Sequence, residues 1–220
     1  MAGTYKVGDN TKAAILKGSR KLFYKKGYKN TTYNDLSANL NINRALIPYH
    51  FNNKTALGVS VYNDIITTVM NAVDELIDTD GLSEDLSAAF HMMIYYRLFN
   101  NRHFVDLICD LANENSDMLF DKAQEGIIIN KLSEAYSSYN GNEFDVICKC
   151  MAAIRLSLIK ALKEESCSPD KAAIHYINYA LRYVGVSQSD IDDLIDSAMQ
   201  LCDLINCEIR QGFSVSVSYR

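Results

Sequence analysis

Side chains between residues 44 and 50 have the chemistry that is needed to read the edges of DNA base pairs. The guanidinium of Arg44 can donate two hydrogen bonds to one guanine edge, and the side chains of Ala45 and Leu46 can contact a thymine methyl group. Arg44 could instead contact only phosphate or solvent, because phosphate contacts outnumber base contacts in such interfaces. Base readout requires these residues to lie on an exposed helix.

The elements that must position these side chains are two short helices joined by a tight turn, the layout of a DNA-binding helix-turn-helix. The stretch from Thr31 to Phe51 reads TTYNDLSANLNINRALIPYHF. Thr32 and Asp35 have the spacing of a capping box, and Asn41 tolerates the positive φ of a turn. Pro48 removes one hydrogen bond from the second helix, so that helix either kinks or adjusts its first turn.

Positive charge is concentrated around this segment. Residues 1–60 contain ten lysines and arginines and two acidic residues, a net charge of +8, whereas residues 61–220 carry a net charge of −13. The overall charge of −5 therefore combines a basic head with an acidic body. Clustered positive charge is what binding to a phosphate backbone requires. An acidic protein partner is the alternative reading of the same charge.

The rest of the chain has helical periodicity almost throughout. The predicted helices cover about 12–26, 54–77, 83–99, 143–165, 168–185 and 187–208, with a shorter amphipathic piece over 104–111 and a helix that begins at Ser116. The alternating Ser-Val tail over 212–220 is either a frayed end or an added strand. The chain is therefore expected to be built from helices.

Composition limits the class of protein. An apolar content of 48% with two prolines favours a packed, helix-rich globule over a disordered chain. No stretch approaches the roughly 18 consecutive apolar residues of a transmembrane helix. The N-terminal sequence MAGTYKVGDNTK lacks the apolar core of a signal peptide. We therefore expect a cytoplasmic protein with no membrane partner.

Metal binding and catalysis have little support in the sequence. The six cysteines form no CxxC pair, and Cys148 and Cys150 point to different sides of a helix, so buried thiols are expected rather than a structural zinc. The sequence contains no glycine-rich phosphate loop, HExxH or GxSxG motif. His175 lies eight residues from Cys167 with no third partner. No catalytic residue, metal or cofactor is predicted.

Residues typical of a known head domain occur along the first 57 residues, in the same order and without a gap. They are Ile15-Leu16, Leu22-Phe23, Gly27-Tyr28, Thr31-Thr32, Asp35-Leu36, Ile42, Ala45, Ile47, Tyr49-His50-Phe51, Asn53-Lys54 and Leu57. In this combination the chain resembles the tetracycline-repressor (TetR/AcrR) family of transcriptional regulators. The resemblance implies an all-α homodimer with a three-helix helix-turn-helix head, joined by a long helix to a helical ligand-binding and dimerisation bundle. The head domain would span residues 9–69, including the start of the connecting helix, and the body residues 70–220.

The resemblance also implies a set of DNA-contacting residues in the head. Lys54 would bind phosphate from the first turn of a helix whose free N–H groups attract the same anion. The full predicted set is Thr31, Thr32, Tyr33, Asn43, Arg44, Ala45, Leu46, Tyr49, His50 and Lys54. Packing within the head is the alternative for Tyr49 and His50.

Three residues depart from the family pattern. Asn41 replaces the usual turn glycine, and Asn43 replaces the usual serine cap of the third helix. Pro48 stands where the family usually has a tyrosine that touches DNA. Pro48 therefore bears on how the recognition helix docks and on which DNA sequence it reads.

In the body, histidines, methionines and aromatic residues are candidates for a pocket that takes a small molecule, because methionine and aromatic side chains adapt to apolar ligands. Packing in the core is the alternative for each of them. The candidates are His91, Tyr95, Tyr96, Phe99, His103, Phe104, Met118, Phe120 and Tyr136. The four-helix dimer interface of the family would involve helices 143–165 and 187–208, through Ile154, Leu158, Leu162, Leu194, Ala198, Leu201 and Ile205.

These expectations combine into a ligand-responsive DNA-binding regulator, of which a repressor is the leading hypothesis. Two heads would enter successive major grooves of a roughly palindromic double-stranded operator, with half-sites about 34–36 Å apart or a multiple of that. A small-molecule effector would favour a dimer whose heads are wrongly spaced. Two other classes remain open: a helical interaction module that binds an acidic partner, and an enzyme that uses the body pocket.

Overall fold

Helical periodicity governs nearly all of the chain in the computed structural model, which describes residues 2–119, 141–183 and 185–220. Over these residues the chain forms nine α-helices and, after them, one β-hairpin. The helices are α1 Ala2–Lys26, α2 Tyr33–Leu40, α3 Leu46–Phe51, α4 Lys54–Leu76, α5 Glu84–Arg97, α6 Arg102–Leu119, α7 Gly141–Lys163, α8 Pro169–Tyr183 and α9 Gln188–Asp203, and the strands are β1 Ile205–Arg210 and β2 Ser214–Tyr219. The predicted helical head and helical body are confirmed. None of the described helices is long and apolar enough to cross a membrane.

The head consists of α1, α2 and α3 packed around one apolar centre. Ile15 on α1, Leu36 on α2 and Ile47 on α3 are buried, as the helical spacing of the sequence predicts. The predicted capping box at the start of α2 is present, because the side chains of Thr32 and Asp35 each accept a hydrogen bond from the backbone N–H of the other. The first helix begins at Ala2, well before its predicted start at residue 12.

Pro48 is accommodated by a tightened first turn of α3. The N–H of Ile47 donates to the carbonyl of Arg44 at 3.3 Å, in an i→i+3 hydrogen bond. In an α-helix that carbonyl would instead accept from residue 48, which as proline has no N–H. The regular pattern then begins with the N–H of Tyr49, which donates to the carbonyl of Ala45 at 3.2 Å. Of the two alternatives for Pro48, the adjusted first turn is the one that the structure shows.

The body is organised around α5. Every residue from Ser87 to Tyr96 on this helix is buried, which is typical of a helix enclosed by its neighbours. Helices α8 and α9 both pack against α5, while α6 lies between α4 and α7. Helix α4 begins in the head at Asn53, whose side chain caps it, and continues into the body as far as Leu76. It is the covalent and structural link between the two parts.

The C-terminal segment departs from the predicted helix over 187–208. Helix α9 ends at Asp203, and the following residues form an antiparallel hairpin in which Cys207 pairs with Val217. The Ser-Val alternation has the two-residue period of a strand, so the strand alternative for the tail is confirmed. Ile205, predicted on a dimerisation helix, lies on β1 with its side chain buried. Its spacing from Cys202 fits the helical period, although the helix has already ended.

The turn of the hairpin places Phe213 between head and body. The side chain is fully buried, and its ring centre lies 5.1 Å from that of Tyr24 on α1 and 6.3 Å from that of Phe104 on α6. Gly212 and Phe213 have φ values of +69° and +56°. Glycine adopts this conformation freely, whereas a bulky residue adopts it only when its surroundings enforce it. The packing of the ring provides that constraint.

Candidate nucleic-acid interface

Helix α3 has one face in the head and the opposite face in solvent. Ile47 and Phe51 are buried, whereas Arg44 and Ala45 at its start are exposed. Tyr49 is 78% exposed, the largest fraction among the large hydrophobic side chains that the structure describes. An exposed helix face of this kind is what a recognition helix presents to the major groove.

Arg44 is oriented by two residues of α2. Its guanidinium donates a hydrogen bond to the side-chain oxygen of Asn34 at 3.1 Å and lies 5.7 Å from the centre of the Tyr33 ring. A guanidinium has five N–H donors, so this contact leaves enough of them for the two hydrogen bonds of a guanine edge. The role of Asn34 in orienting Arg44 was not predicted from the sequence. Its ten-residue separation from Arg44 matches no local pattern.

Asn43 shapes the entry to α3. Its side-chain oxygen accepts a hydrogen bond from the N–H of Ala45 at 2.9 Å. The N-cap position of α3 is Ala45, without a side-chain capping bond, so the prediction that Asn43 is the cap is wrong and Asn43 instead supports the turn just before the helix. A DNA contact by the same side chain stays a prediction.

Thr31 lies inside the head and not on its DNA-facing surface. Its side chain is fully buried, and its hydroxyl donates to the carbonyl of Gly27 at 2.8 Å. The hydroxyl satisfies a carbonyl at the end of α1, where helix termini leave such groups without partners. The prediction that Thr31 contacts phosphate is therefore contradicted in this conformation.

Thr32, by contrast, is exposed at the N-terminus of α2. Its hydroxyl and its N–H both donate to the Asp35 carboxylate at 2.8 Å, and the ammonium of Lys26 lies 2.7 Å from the same carboxylate. Lys26 and the two groups of Thr32 lower the pKa of Asp35 to about 2. The N-terminus of α2 is therefore fixed by a carboxylate that stays ionised at neutral pH.

Tyr33, Leu46, His50 and Lys54 complete the surface predicted to face DNA, and all four are partly buried. The ring of His50 packs edge-on against that of Tyr49, with 5.0 Å between ring centres. The ammonium of Lys54 lies 4.4 Å above the Tyr28 ring and 3.4 Å from the carbonyl of Lys29. It is thereby held near the loop between α1 and α2. Phosphate binding by Lys54 and the packing alternative for His50 are compatible with this placement.

A set of polar contacts that the sequence analysis missed attaches the head to α6. The hydroxyls of Tyr28 and Thr55 donate to the Glu114 carboxylate at 2.5 and 2.9 Å, and the ammonium of Lys29 lies 3.2 Å from Asp110. Burial and then the hydrogen bond to Glu114 raise the pKa of Tyr28 well above its ordinary value, so its hydroxyl remains a neutral donor. The partners lie 59 and 86 residues apart, too far for any local signal.

Most of the predicted effector residues are core side chains. His91, Tyr95, Tyr96, Phe99 and Phe104 are buried. The four aromatic rings other than His91 form one group of contacts: Tyr95 lies 5.3 Å from Tyr96 and 5.2 Å from Phe99, and Phe99 lies 5.3 Å from Phe104. The core alternative for these residues is therefore present in the structure. Phe120 and Tyr136 lie outside the described residues, and of Met118 only the backbone is described.

The two histidines among these candidates have different surroundings. His91 is fixed in the core, with Nδ1 2.6 Å from the carbonyl of Ser87 and Nε2 2.8 Å from the Asp74 carboxylate. His103 is exposed, and its ring lies tilted against that of Tyr24 with 4.2 Å between ring centres, in a cleft of about 610 Å³ between α1 and the hairpin turn. His103 therefore lies at the joint of head and body and not in the interior.

Arg155 is a buried charge that was not predicted from the sequence. It is 1% exposed, donates to the Tyr176 hydroxyl at 2.8 Å, and lies 5.2 Å from the ring centres of both Tyr95 and Tyr176. Burial raises the pKa of Tyr95, and the charge of Arg155 opposes that rise. The position of an arginine within the apolar stripe of the helix over 143–165 could have indicated this buried charge. Within the described ranges, no cluster of three or more His, Cys, Asp or Glu side chains is arranged to bind a metal.

The residues predicted at a dimer interface divide into two groups. Leu162, Ala198 and Ile205 are buried within one chain, so the structure contradicts their placement on a surface. Their spacing reflects packing onto their own protomer. The others are partly buried against the core, namely Ile154, Leu158, Leu194 and Leu201.

Comparison with known proteins supports the reading of the head. Residues 15–60 match the sequence family "Bacterial regulatory proteins, tetR family". No curated protein matches the chain.

Solved structures share the fold at low identity. RolR in complex with resorcinol is 14% identical over 86% of this chain and 95% of that chain, with a TM-score of 0.57. A TetR-family regulator from Rhodococcus sp. is 17% identical over 80% and 98%, with a TM-score of 0.53. CprB from S. coelicolor A3(2) is 16% identical over 88% and 97%, with a TM-score of 0.50.

The fold and the exposed surface of α3 are those of a DNA-binding transcriptional regulator of the helix-turn-helix class. The recognition helix lies on a basic head, and the helical body is separate from it. The matched segment covers the C-terminal half of α1, all of α2 and α3, and the start of α4. Over residues 15–60 this head is similar to that of the tetR family of bacterial regulatory proteins.

Proposed function

We propose that this protein is a homodimeric repressor that binds a roughly palindromic DNA operator and releases it when a small molecule binds the body. The observation that carries the proposal is the exposure of Arg44, Ala45 and Tyr49 on one side of α3, in the basic part of an otherwise acidic chain. The negative body repels the phosphate backbone, so the head governs how the protein meets DNA. The role is that of a regulator and not of an enzyme.

The proposed contacts follow from which side chains are accessible. Arg44 reads a base edge, with Ala45 and Leu46 beside it for thymine methyl groups. The remaining contacts are to phosphate, from Thr32, Tyr33, Tyr49, His50 and Lys54. Asn43 positions the start of α3, and Thr31 is not included because it is buried.

Dimerisation is needed to place two heads on one palindromic site. Val146 on α7 and Tyr179 and Tyr183 on α8 are exposed apolar side chains, and these two helices pack side by side. The exposed face of α9 instead carries acidic residues, including Asp192 and Asp193, which would repel a second copy. We therefore favour α7 and α8 over the pair α7 and α9 that the family resemblance implies.

The proposed effector is a small molecule with an aromatic or other flat apolar part. The body offers contacting aromatic rings, including Tyr95 and Phe99, around which such a molecule can pack after modest rearrangement. The RolR structure with resorcinol shows that one protein of this fold holds a phenolic ligand. These two observations support the class of effector without identifying it.

The test is a binding measurement on duplexes that the wild-type protein selects from a random library. Arg44→Ala is expected to weaken binding to a selected duplex by about 1–3 kcal/mol, roughly 5–150-fold, and to relax sequence preference at one position. Lys17→Ala is the matched control, because it removes one exposed positive charge from α1 without changing α3. The control should weaken all duplexes alike.

Three results decide the proposal. Sequence preference together with a steep loss of affinity as salt rises supports operator binding by the head. Equal weakening of all sequences by Arg44→Ala contradicts base readout by Arg44. Absence of duplex binding at about 50 mM salt rejects the regulator and leaves an acidic protein as the partner for the head.

A further inference from the structure

We propose that the C-terminal hairpin is a clasp that holds the DNA-binding head in one orientation on the body, and that Arg20 is the positioning residue at which the clasp closes. The inference builds on the proposed operator binding and adds what sets the orientation of the head. It gives a function to the hairpin, whose first strand begins within the range 187–208 that was predicted as a helix.

Arg20 joins three elements through one side chain. Its guanidinium donates to the Asp64 carboxylate on α4 at 2.6 Å and to the carbonyl of Phe213 in the hairpin turn. The side chain itself is on α1 and is 16% exposed. A planar guanidinium presents its donors in fixed directions, so these two bonds define the position of α1 relative to both partners. A lysine at this position would lose that geometry.

The hairpin turn adds apolar contacts to the same joint. The buried ring of Phe213 lies against Tyr24 on α1 and Phe104 on α6. At Gly212 an added Cβ would lie 3.4 Å from Cγ of Lys21, so the turn follows the surface of α1 closely. The turn therefore holds the head by shape as well as by hydrogen bonds.

The rest of the hairpin is anchored on the body. The Tyr219 hydroxyl donates to the carbonyl of Leu76 at 2.5 Å, and the Asn101 side chain donates to the carbonyl of Ile209 at 2.8 Å. Strand β2 packs along α4. From Asp64 to Leu76 the helix rises about 18 Å, and a strand covers about 20 Å between residues 213 and 219. The matching lengths let β2 brace the helix that connects head and body.

Head orientation matters because two recognition helices must meet half-sites at a fixed separation. Two heads held rigidly at the correct separation lose little conformational entropy when they bind half-sites with that spacing, and they cannot adapt to another spacing. Heads that are free to move bind the correct spacing more weakly and tolerate an altered spacing better. Loss of the clasp should therefore reduce discrimination between spacings. The contacts of Tyr28 and Thr55 with Glu114 remain in place, so the head stays folded and attached.

The experiment compares the duplex selected by the wild-type protein with versions lengthened by one and two base pairs between the half-sites. Arg20→Gln is expected to lower the ratio of affinities for correct and altered spacing by about tenfold, close to the smallest loss expected for a charged hydrogen bond. Lys17→Gln, which removes the same charge nearby, should weaken all duplexes alike and keep the ratio. Circular dichroism and sedimentation must show folded variants of unchanged assembly.

Further variants keep the test decisive. Arg20→Lys retains the positive charge but lacks the planar guanidinium, so it should also lower the ratio of affinities for correct and altered spacing. Asp64→Asn is used if Arg20→Gln does not fold, since it weakens the same contact on a partly exposed residue. An unchanged ratio in a folded variant of Arg20 or Asp64 overturns the clasp.

Hydrogen exchange without DNA separates this inference from the proposed function. In folded Arg20→Gln, amides of residues 205–219 and of α1 near residue 20 should exchange faster than in the wild-type protein, while those of α2 keep their protection. If the wild-type protein selects no duplex, operator binding fails, and this measurement still tests the clasp. Unchanged exchange over 205–219 overturns it.

Discussion

Replacing Phe213 by alanine and by glycine separates two opposed contributions to the stability of the hairpin turn. The ring is fully buried, and deletion of such a ring costs about 3–5 kcal/mol. The backbone at this residue has φ +56°, a left-handed conformation that disfavours an L-residue by about 1–2 kcal/mol. Both variants lose the ring, but only glycine also removes the backbone strain.

The expected order of stability follows from these values. Glycine recovers the strain but loses about 0.5–1 kcal/mol through the greater freedom of the unfolded chain. We therefore expect Phe213→Gly to be less stable than the wild-type protein, yet more stable than Phe213→Ala by about 0.5–1 kcal/mol. Alanine is normally the more stable of the two in ordinary backbone conformations, so the reversed order is diagnostic.

Urea unfolding followed by circular dichroism measures this order. All variants are compared at one protein concentration, so that any association of chains contributes equally, and their denaturant slopes must agree. Ser218 on β2 provides the matched control, since it is exposed and has no positive φ, and alanine should exceed glycine there. Equal or greater stability of the alanine variant at residue 213 refutes the strained turn, and losses below about 1 kcal/mol for both variants refute the burial of the ring.

Two further predictions concern the head. Asp35→Asn should lower the melting temperature at neutral pH, and the difference from the wild-type protein should shrink as the pH falls from 3.8 towards about 2, because the lowered pKa of Asp35 gives stability that is lost on protonation. A constant difference down to that pH contradicts the role of its charge. Gly58→Ala should lower the urea midpoint, because an added Cβ would lie 2.5 Å from Cδ2 of Leu111 and 2.8 Å from Cε2 of Tyr28. Overpacking of about 1–3 kcal/mol exceeds the gain in helix propensity of about 1 kcal/mol. A higher urea midpoint for Gly58→Ala would show that the added methyl group fits between α4 and its neighbours without overpacking.

Local signals in the sequence predicted local structure well. The capping box of Thr32 and Asp35, the positive φ of Asn41 and the cap at Asn53 are all present. Each depends on residues within a few positions of one another, so their chemistry is readable from spacing alone. The buried faces of the helices follow from the same short-range periodicity.

Contacts between distant residues were not predictable in this way. The bridge from Arg20 to Asp64 spans 44 residues, and the one from Arg20 to Phe213 spans 193. Thr31 has the position of a surface turn residue, and only the fold shows that its hydroxyl points inward. Aromatic residues at helical spacing, such as Tyr95, look alike in a core and in a pocket. The sequence therefore predicted which elements form better than which faces they use.

The nature of the head–body joint bears on how such a regulator can switch. Beside the apolar contacts of Phe213, the joint contains a few polar ones, to Glu114, Asp64 and Asp110. A hydrogen bond to a charged group contributes about 1.5–3 kcal/mol, and coupling between two binding sites is commonly about 1–3 kcal/mol. An effector that breaks one or two of these contacts would thus have enough free energy to reorient the head without unfolding it. The clasp contacts the head through Arg20, whereas the Glu114 contacts involve Tyr28 and Thr55, so an effector that acts on one set would leave the other as a hinge.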